Sequence, residues 1–271
     1  MDKNAKIDTV KTDDFTMSFF KFGHGEKTLV ILPGLSVQSV MGSAEAIEEA
    51  YKALTDAFTI YVFDRREELP ASYSIYDMAQ DTAEAFQALN LQHVSLFGAS
   101  QGGMIAMEIA VNHPELVEKM VLGSTSAQIS DERFQVVEEW IRLAEDSDAE
   151  DLYQAFGEAV YPKDVYEQIR ELLADAANTV SLEELERFTV LAKAMKGFDI
   201  RRDLEKITCP VLVIGDSEDG VLGVEAVETI AKYLGDKPGF EVFMYHGYGH
   251  AAYDTAPDYK ERILHFLVPE S

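Results

Sequence analysis

The chain predicts an α/β fold: a mostly parallel, twisted sheet with helices on both faces and a helical insertion. Three observations carry that prediction. Short apolar runs alternate with amphipathic stretches of helical length, the pattern of parallel βαβ units. The alternation stops once, for a long stretch with helical periodicity only, and then resumes. Finally, 271 residues with 47% hydrophobic and 27% charged content can build one large core carrying an inserted module.

Taken in order, Phe15 to Phe22 is aromatic-rich and strand-like, Gly23-His24-Gly25 is a turn, and Lys27 to Leu32 is an apolar run ended by Pro33-Gly34. Ser43 to Ala57 places Ala46, Ile47, Ala50 and Leu54 at helical spacing. Phe58 to Phe63 reads as a buried strand ending at Asp64. Ile75 to Leu89 is helical, Val94 to Phe97 a strand, and Gly102 to His113 a helix stopped by Pro114. Lys119 to Leu122 begins another strand. From about Gln128 to Glu205 only helical patterns occur, such as Phe134-Val137-Trp140-Ile141 and Leu182-Leu185-Phe188-Leu191. The βα rhythm then returns with strand Pro210–Ile214, helix Gly223–Leu234, strand Phe240–Tyr245 and helix Asp258–Leu267. The expected organisation is a core of residues 1–127 and 206–271, with 128–205 as a helical cap over the sheet's C-terminal edge, where α/β folds bind ligands.

Composition excludes several function classes. A formal net charge of −26 repels phosphate backbones and anionic membrane surfaces, and disfavours strongly anionic substrates. The expected partner is a small molecule, with no nucleic acid and no membrane; the sequence leaves the oligomeric state open. Most of the excess acid reads as helix-surface solvation. A lone cysteine, Cys209, precludes an internal disulfide and a cysteine-based zinc site, and its place before a strand suits a structural thiol. No apolar run reaches membrane-spanning length, and Met1–Lys6 lacks the apolar core of a signal peptide, so a cytoplasmic protein is expected. Histidines and carboxylates do not cluster at metal-ligand spacing, and Gly98-x-x-x-Gly102-Gly103 lacks a phosphate-loop lysine; no metal or cofactor is expected.

The chemistry concentrates at Gly98-Ala99-Ser100-Gln101-Gly102, a G-x-S-x-G pattern fed by a strand and followed by a helix. A serine on so sharp a turn stands clear of the sheet, at a helix N-terminus that favours developing negative charge. Its hydroxyl needs a base. Of six histidines, His24 and His93 lie in a turn and at a strand start before the motif, His113 ends the motif's own helix, and His265 falls in the C-terminal helix. His246 and His250 remain, in the loop after the last strand. His250, between Gly249 and Ala251-Ala252, has the freer reach; His246 lies hard against the strand end. The imidazolium needs a carboxylate. Gly215-Asp216-Ser217-Glu218-Asp219-Gly220 follows a strand and keeps the chain order Ser…Asp…His; Asp219 can fold back under His250, with Asp216 as the alternative. An oxyanion would take the backbone N–H of Gln101 and one from Leu32–Ser36, best Leu35.

With these residues the chain resembles the α/β-hydrolase superfamily, in its lidded esterase, lactonase and perhydrolase branch. The resemblance runs from about Phe15 to Leu267 and rests on "LFGASQGGMIAMEIAVNHPELVEKMVL", "CPVLVIGDSEDG" and "GYGHAAYDTAP". It implies Ser100 as nucleophile, Asp219 as the acid past the late strand, and His250 as the histidine of the Gly-His pair. Serine at position 100 sets it apart from dehalogenase and epoxide-hydrolase branches, which use aspartate there. Three positions depart: Pro33-Gly34 where relatives often have His-Gly, Asp64-Arg65-Arg66-Glu67 where a glycine turn is frequent, and Gly220 where proline is common.

The leading expectation is a serine hydrolase that cleaves a small, largely uncharged ester, lactone or thioester through an acyl-enzyme. Carbon–carbon bond hydrolysis, perhydrolysis and amide cleavage would use the same residues. A non-catalytic small-molecule receptor on this fold is the reading from another class. Phe134, Trp140, Tyr153, Phe156 and Phe188 supply either an acyl pocket or the core of the insert.

Overall fold

The structure, a computed structural model, describes residues 6–269. Apart from Lys6, the segment read for a signal peptide therefore lies outside the described residues. Eight strands form one sheet: β1 (Ile7–Lys11), β2 (Thr16–Gly23), β3 (Lys27–Leu32), β4 (Phe58–Arg66), β5 (Val94–Ala99), β6 (Val117–Gly123), β7 (Val211–Asp216) and β8 (Phe240–Tyr245). Their order is β1-β2-β4-β3-β5-β6-β7-β8. β2 runs antiparallel to β1 and β4, and every other pairing is parallel.

β3 and β5 are buried along most or all of their length, as parallel strands covered on both faces must be. Alternate residues serve two apolar layers. Val30 and Leu32 of β3 join Val94 and Leu96 of β5 in one layer, with helices α2 (Ile75–Ala88), α3 (Gln101–Asn112) and α8 (Glu225–Leu234). Leu29, Ile31, Phe97 and Ala99 face the other, with α1 (Ala44–Ala50), α9 (Ala252–Thr255) and α10 (Tyr259–Leu267).

Between β6 and β7 the chain forms four consecutive helices: α4 (Asp131–Glu145), α5 (Ala149–Val160), α6 (Lys163–Ala177) and α7 (Leu182–Lys193). Ser130, Asp148 and Ser181 cap α4, α5 and α7 by accepting from backbone N–H groups of the first turn. The two ends of the segment are stitched together: Ile129 N–H donates to Phe198 O and Ile200 N–H to Ala127 O. Among the described residues no helix is long and apolar enough to cross a membrane.

One expected element needs correction, and one strand, β1, has no counterpart among the expected elements. The helix expected over Ser43–Ala57 breaks at Tyr51 (φ −102°, ψ 14°) into α1 and a single 3-10 turn, Lys52–Leu54. Tyr51 leaves the helical path to pack its ring 6.1 Å from that of Phe97, so tertiary burial overrides local periodicity. β1 carries no apolar signal because Val10 is its one buried residue, as suits an edge strand.

The closest backbone approach in the core surrounds the turn from β5 into α3. A Cβ on Gly102 would stand 1.9 Å from the carbonyl oxygen of Leu32, and one on Gly98 would meet Gly102 O at 2.5 Å. Strand, turn and helix close only because both positions lack side chains. Gly102→Ala is expected to cost about 3 kcal/mol, since backbone rather than a mobile side chain must give way. Gly42→Ala, in open space, should change stability by less than about 0.5 kcal/mol. Thermal unfolding of both variants against the parent checks the contrast.

Candidate active site

Ser100 occupies the turn itself, at φ 52° and ψ −120°. A non-glycine residue at positive φ there stores about 1–3 kcal/mol of strain, which the surroundings must over-determine. They do so through hydrogen bonds on both sides. Ser100 N–H donates to Gly123 O at 2.8 Å, and its carbonyl accepts from Thr125 Oγ1 at 2.6 Å and from Gly103 N–H at 2.9 Å. Thr125 was not singled out in the sequence; its one signal is that it follows the end of the neighbouring strand, β6.

The structure brings Ser100, His250 and Asp219 together. Ser100 Oγ lies 2.9 Å from His250 Nε2. On the other side of the ring, His250 Nδ1 lies 3.0 Å from Asp219 Oδ1 and 2.9 Å from Oδ2. All three side chains are buried. A carboxylate facing Nδ1 holds the proton there and leaves Nε2 to accept from the hydroxyl. Burial pushes the Asp219 carboxyl up. The His250 ring and hydrogen bonds from the N–H groups of Leu222 and Val221 outweigh that, so it titrates below the ordinary carboxylate range. It therefore stays ionised at neutral pH, as a partner for an imidazolium must.

Asp216 has different work. Its Oδ1 accepts from Glu218 N–H at 2.8 Å and its Oδ2 from Tyr248 N–H at 2.9 Å, tying the loop after β7 to the loop after β8. His246 Nδ1 pairs with Ser217 Oγ at 2.8 Å. His24 meets Asp56, and His113 meets Gln80 and Glu115.

Leu35 and Gln101 flank the serine from two segments. Gly34 brings the loop after β3 so close that a Cβ there would stand 3.2 Å from Ser100 Cβ. Among the described residues, neither the Leu35 nor the Gln101 backbone N–H donates to another protein group, and the latter opens α3, where N–H groups have no intrahelical partner. The Gln101 side chain, which sequence reasoning missed, bridges two segments. Its Oε1 accepts from Arg65 Nη2 at 3.0 Å and its Nε2 donates to Leu191 O of α7 at 2.7 Å. Arg65 Nη2 also donates to Pro33 O at 2.8 Å. One buried guanidinium thus ties the loop before Leu35 to the residue after Ser100, and through Gln101 to the helical segment. Its signal in the sequence was the Asp64-Arg65-Arg66-Glu67 departure.

A cavity of about 320 Å³ adjoins the serine through Gly34, Leu35 and Ala99. Of the five aromatics considered for an acyl pocket, Phe156 lines it. Phe134, Trp140 and Phe188 are buried in the core, Trp140 packing its ring 4.7 Å from that of Phe156, and Tyr153 hydroxyl donates to Gln38 Oε1. Among the described residues, no three histidine, cysteine, aspartate or glutamate side chains group to hold a metal ion.

Residues 27–257 match the family model described as the alpha/beta hydrolase fold. RutD of Agrobacterium fabrum, provisionally named a carbamate hydrolase, is 28% identical over 256 residues, 91% of this chain and 97% of that one. An α/β hydrolase enzyme from a Medee basin deep-sea metagenome library superposes with a TM-score of 0.86 at 19% identity, over 97% of this chain and 98% of the other. The enol-lactonase from Burkholderia xenovorans gives 0.82 at 17% identity, over 96% and 99%. With the family model spanning most of its length, the chain belongs to the alpha/beta hydrolase fold family, and it is an enzyme of the hydrolase type.

Proposed function

We propose that the protein is a serine hydrolase that cleaves a small carboxylic ester, lactone or thioester through an acyl-enzyme. The observation that carries this reading is the continuous buried relay from Ser100 Oγ to His250 Nε2 at 2.9 Å and from His250 Nδ1 to Asp219 at 2.9 Å. Ser100 attacks the carbonyl carbon while His250 takes the hydroxyl proton, and Asp219 offsets the resulting imidazolium charge. The oxyanion is held by the N–H groups of Leu35 and Gln101, each worth about 2.7–4 kcal/mol in the transition state. His250 then gives its proton to the leaving oxygen or sulfur, and deprotonates the water that releases the acyl group. Relatives named for carbamate hydrolysis extend the candidate carbonyls to one flanked by nitrogen and oxygen.

Residues 128–205 act in this proposal as a cap. Phe156 and Val160 of α5 contribute to the cavity beside the serine, and Leu191 O of α7 anchors the Gln101 side chain. The substrate is a small molecule rather than a nucleic acid or a membrane, in keeping with the charge of −26.

Fluorophosphonate labelling and turnover of short p-nitrophenyl esters are expected in the parent protein and lost in Ser100→Ala. His250→Ala should lose most activity while His246→Ala keeps it. No Ser100-dependent labelling or turnover would refute the hydrolase reading, and the reverse histidine result would refute the base assignment.

The two loop aspartates should separate by readout. Asp219→Asn is expected to lower kcat by about three to four orders of magnitude, because an amide cannot offset the imidazolium. Asp216→Asn should lower kcat by less than about tenfold but cost roughly 1.5–3 kcal/mol of stability, because the amide nitrogen cannot accept the backbone N–H that one carboxylate oxygen now receives. Steady-state kinetics with thermal unfolding on the same samples distinguishes them.

A further inference from the structure

The cavity beside Ser100 has an apolar floor on the sheet, from Ile31, Val62 and Phe97, and one charged residue, Asp254 of α9. Asp254 is exposed and lines the cavity. Burial raises its carboxyl to about 6, with Lys260 and His250 pulling the other way, so it is mostly ionised at neutral pH. It has no hydrogen-bond or ion-pair partner among the described residues. On an otherwise apolar wall such a carboxylate favours a cationic ligand group over a neutral one.

Three tyrosines gather around it. Tyr51, Tyr161 and Tyr253 all line the same cavity. Burial first, and the Asp254 charge second, raises each of their hydroxyls above the ordinary range, so all three stand within reach of that charge. Phe156 adds a fourth ring from the cap segment. Aromatic faces around a carboxylate form the chemistry that recognises an organic cation. The resident cation nearby is otherwise engaged: Lys260 Nζ donates to the Tyr253 carbonyl and stands 5.3 Å from the centre of the Tyr51 ring. The whole-protein charge of −26 also draws cations toward the cavity mouth.

We propose that this cavity is a subsite for an alkylammonium group, so that the substrate carries a protonated amine on the chain that lies against Asp254, Tyr51, Tyr161 and Tyr253. The inference deepens the hydrolase reading and rests on it for the carbonyl end of the substrate. The ammonium end can be tested without catalysis.

The test is calorimetric binding of three isosteric amides, 6-aminohexanamide, 6-hydroxyhexanamide and heptanamide, to the full-length protein and to its Asp254 variants. The parent should bind 6-aminohexanamide at least about tenfold more tightly than heptanamide, with the hydroxy compound between them. Asp254→Asn should abolish that margin and Asp254→Leu should reverse it, each in protein whose circular dichroism matches the parent. Equal affinities in the parent, no detectable binding of 6-aminohexanamide at millimolar concentration, or a margin that survives both substitutions would overturn the subsite. An ammonium preference in a protein with neither Ser100-dependent labelling nor turnover would leave the subsite standing and refute the hydrolase reading alone.

Discussion

Ser100 is held at φ 52°, ψ −120°, and the rest of the site follows from that constraint. A serine in relaxed strand backbone would point to one face of the sheet, into the helices packed there. Here β5 turns so sharply into α3 that the hydroxyl projects above the strand ends, beside the first free N–H groups of a helix. The turn closes because Gly98 and Gly102 let backbone touch backbone, and it stays closed because Gly123 O and Thr125 Oγ1 secure the peptide groups on either side of Ser100. Both partners come from β6 or the residues just beyond it, so the parallel β5–β6 pairing is what fixes the geometry of Ser100.

The relay draws on the same parallel frame. β7 and β8 end side by side, with Asp216 paired in register with Tyr245. The loops that follow carry Asp219 and His250. Asp216 clamps those loops together, and Asp219 is then fixed by two backbone donors before it meets the imidazole. The carboxylate is thus oriented by the fold, with little left for the histidine to arrange. Across the sheet, Arg65 performs a similar service, linking the loop after β3 to Gln101 and thereby to α7. Its cost is a buried guanidinium whose Nε has no partner among the described residues.

Much of this was legible in the sequence, because the strongest signals are local. Apolar runs bounded by Pro-Gly and Gly-rich segments marked β3, β5 and β7 to within two residues, and Ser100 was visible because strand, glycine and helix signals meet at one place. The choice between Asp216 and Asp219 was not settled by the residues alone. Both follow the same strand, and what separates them is which backbone N–H groups they accept, a property of the folded loop. The break at Tyr51, the role of Arg65 and the gathering of tyrosines around Asp254 each depend on chain segments far apart in sequence. Periodicity reports a residue's neighbours along its own element, so such convergence leaves no local trace.

The central claim is that the Ser100 turn presents a nucleophile against two waiting amides. A crystal structure of the protein after reaction with a small fluorophosphonate addresses it most directly. The account predicts phosphorus bonded to Ser100 Oγ, with one phosphonyl oxygen about 2.7–3.1 Å from both the Leu35 and Gln101 nitrogens. Phosphorus on another residue, or a phosphonyl oxygen turned away from those two amides, would contradict it.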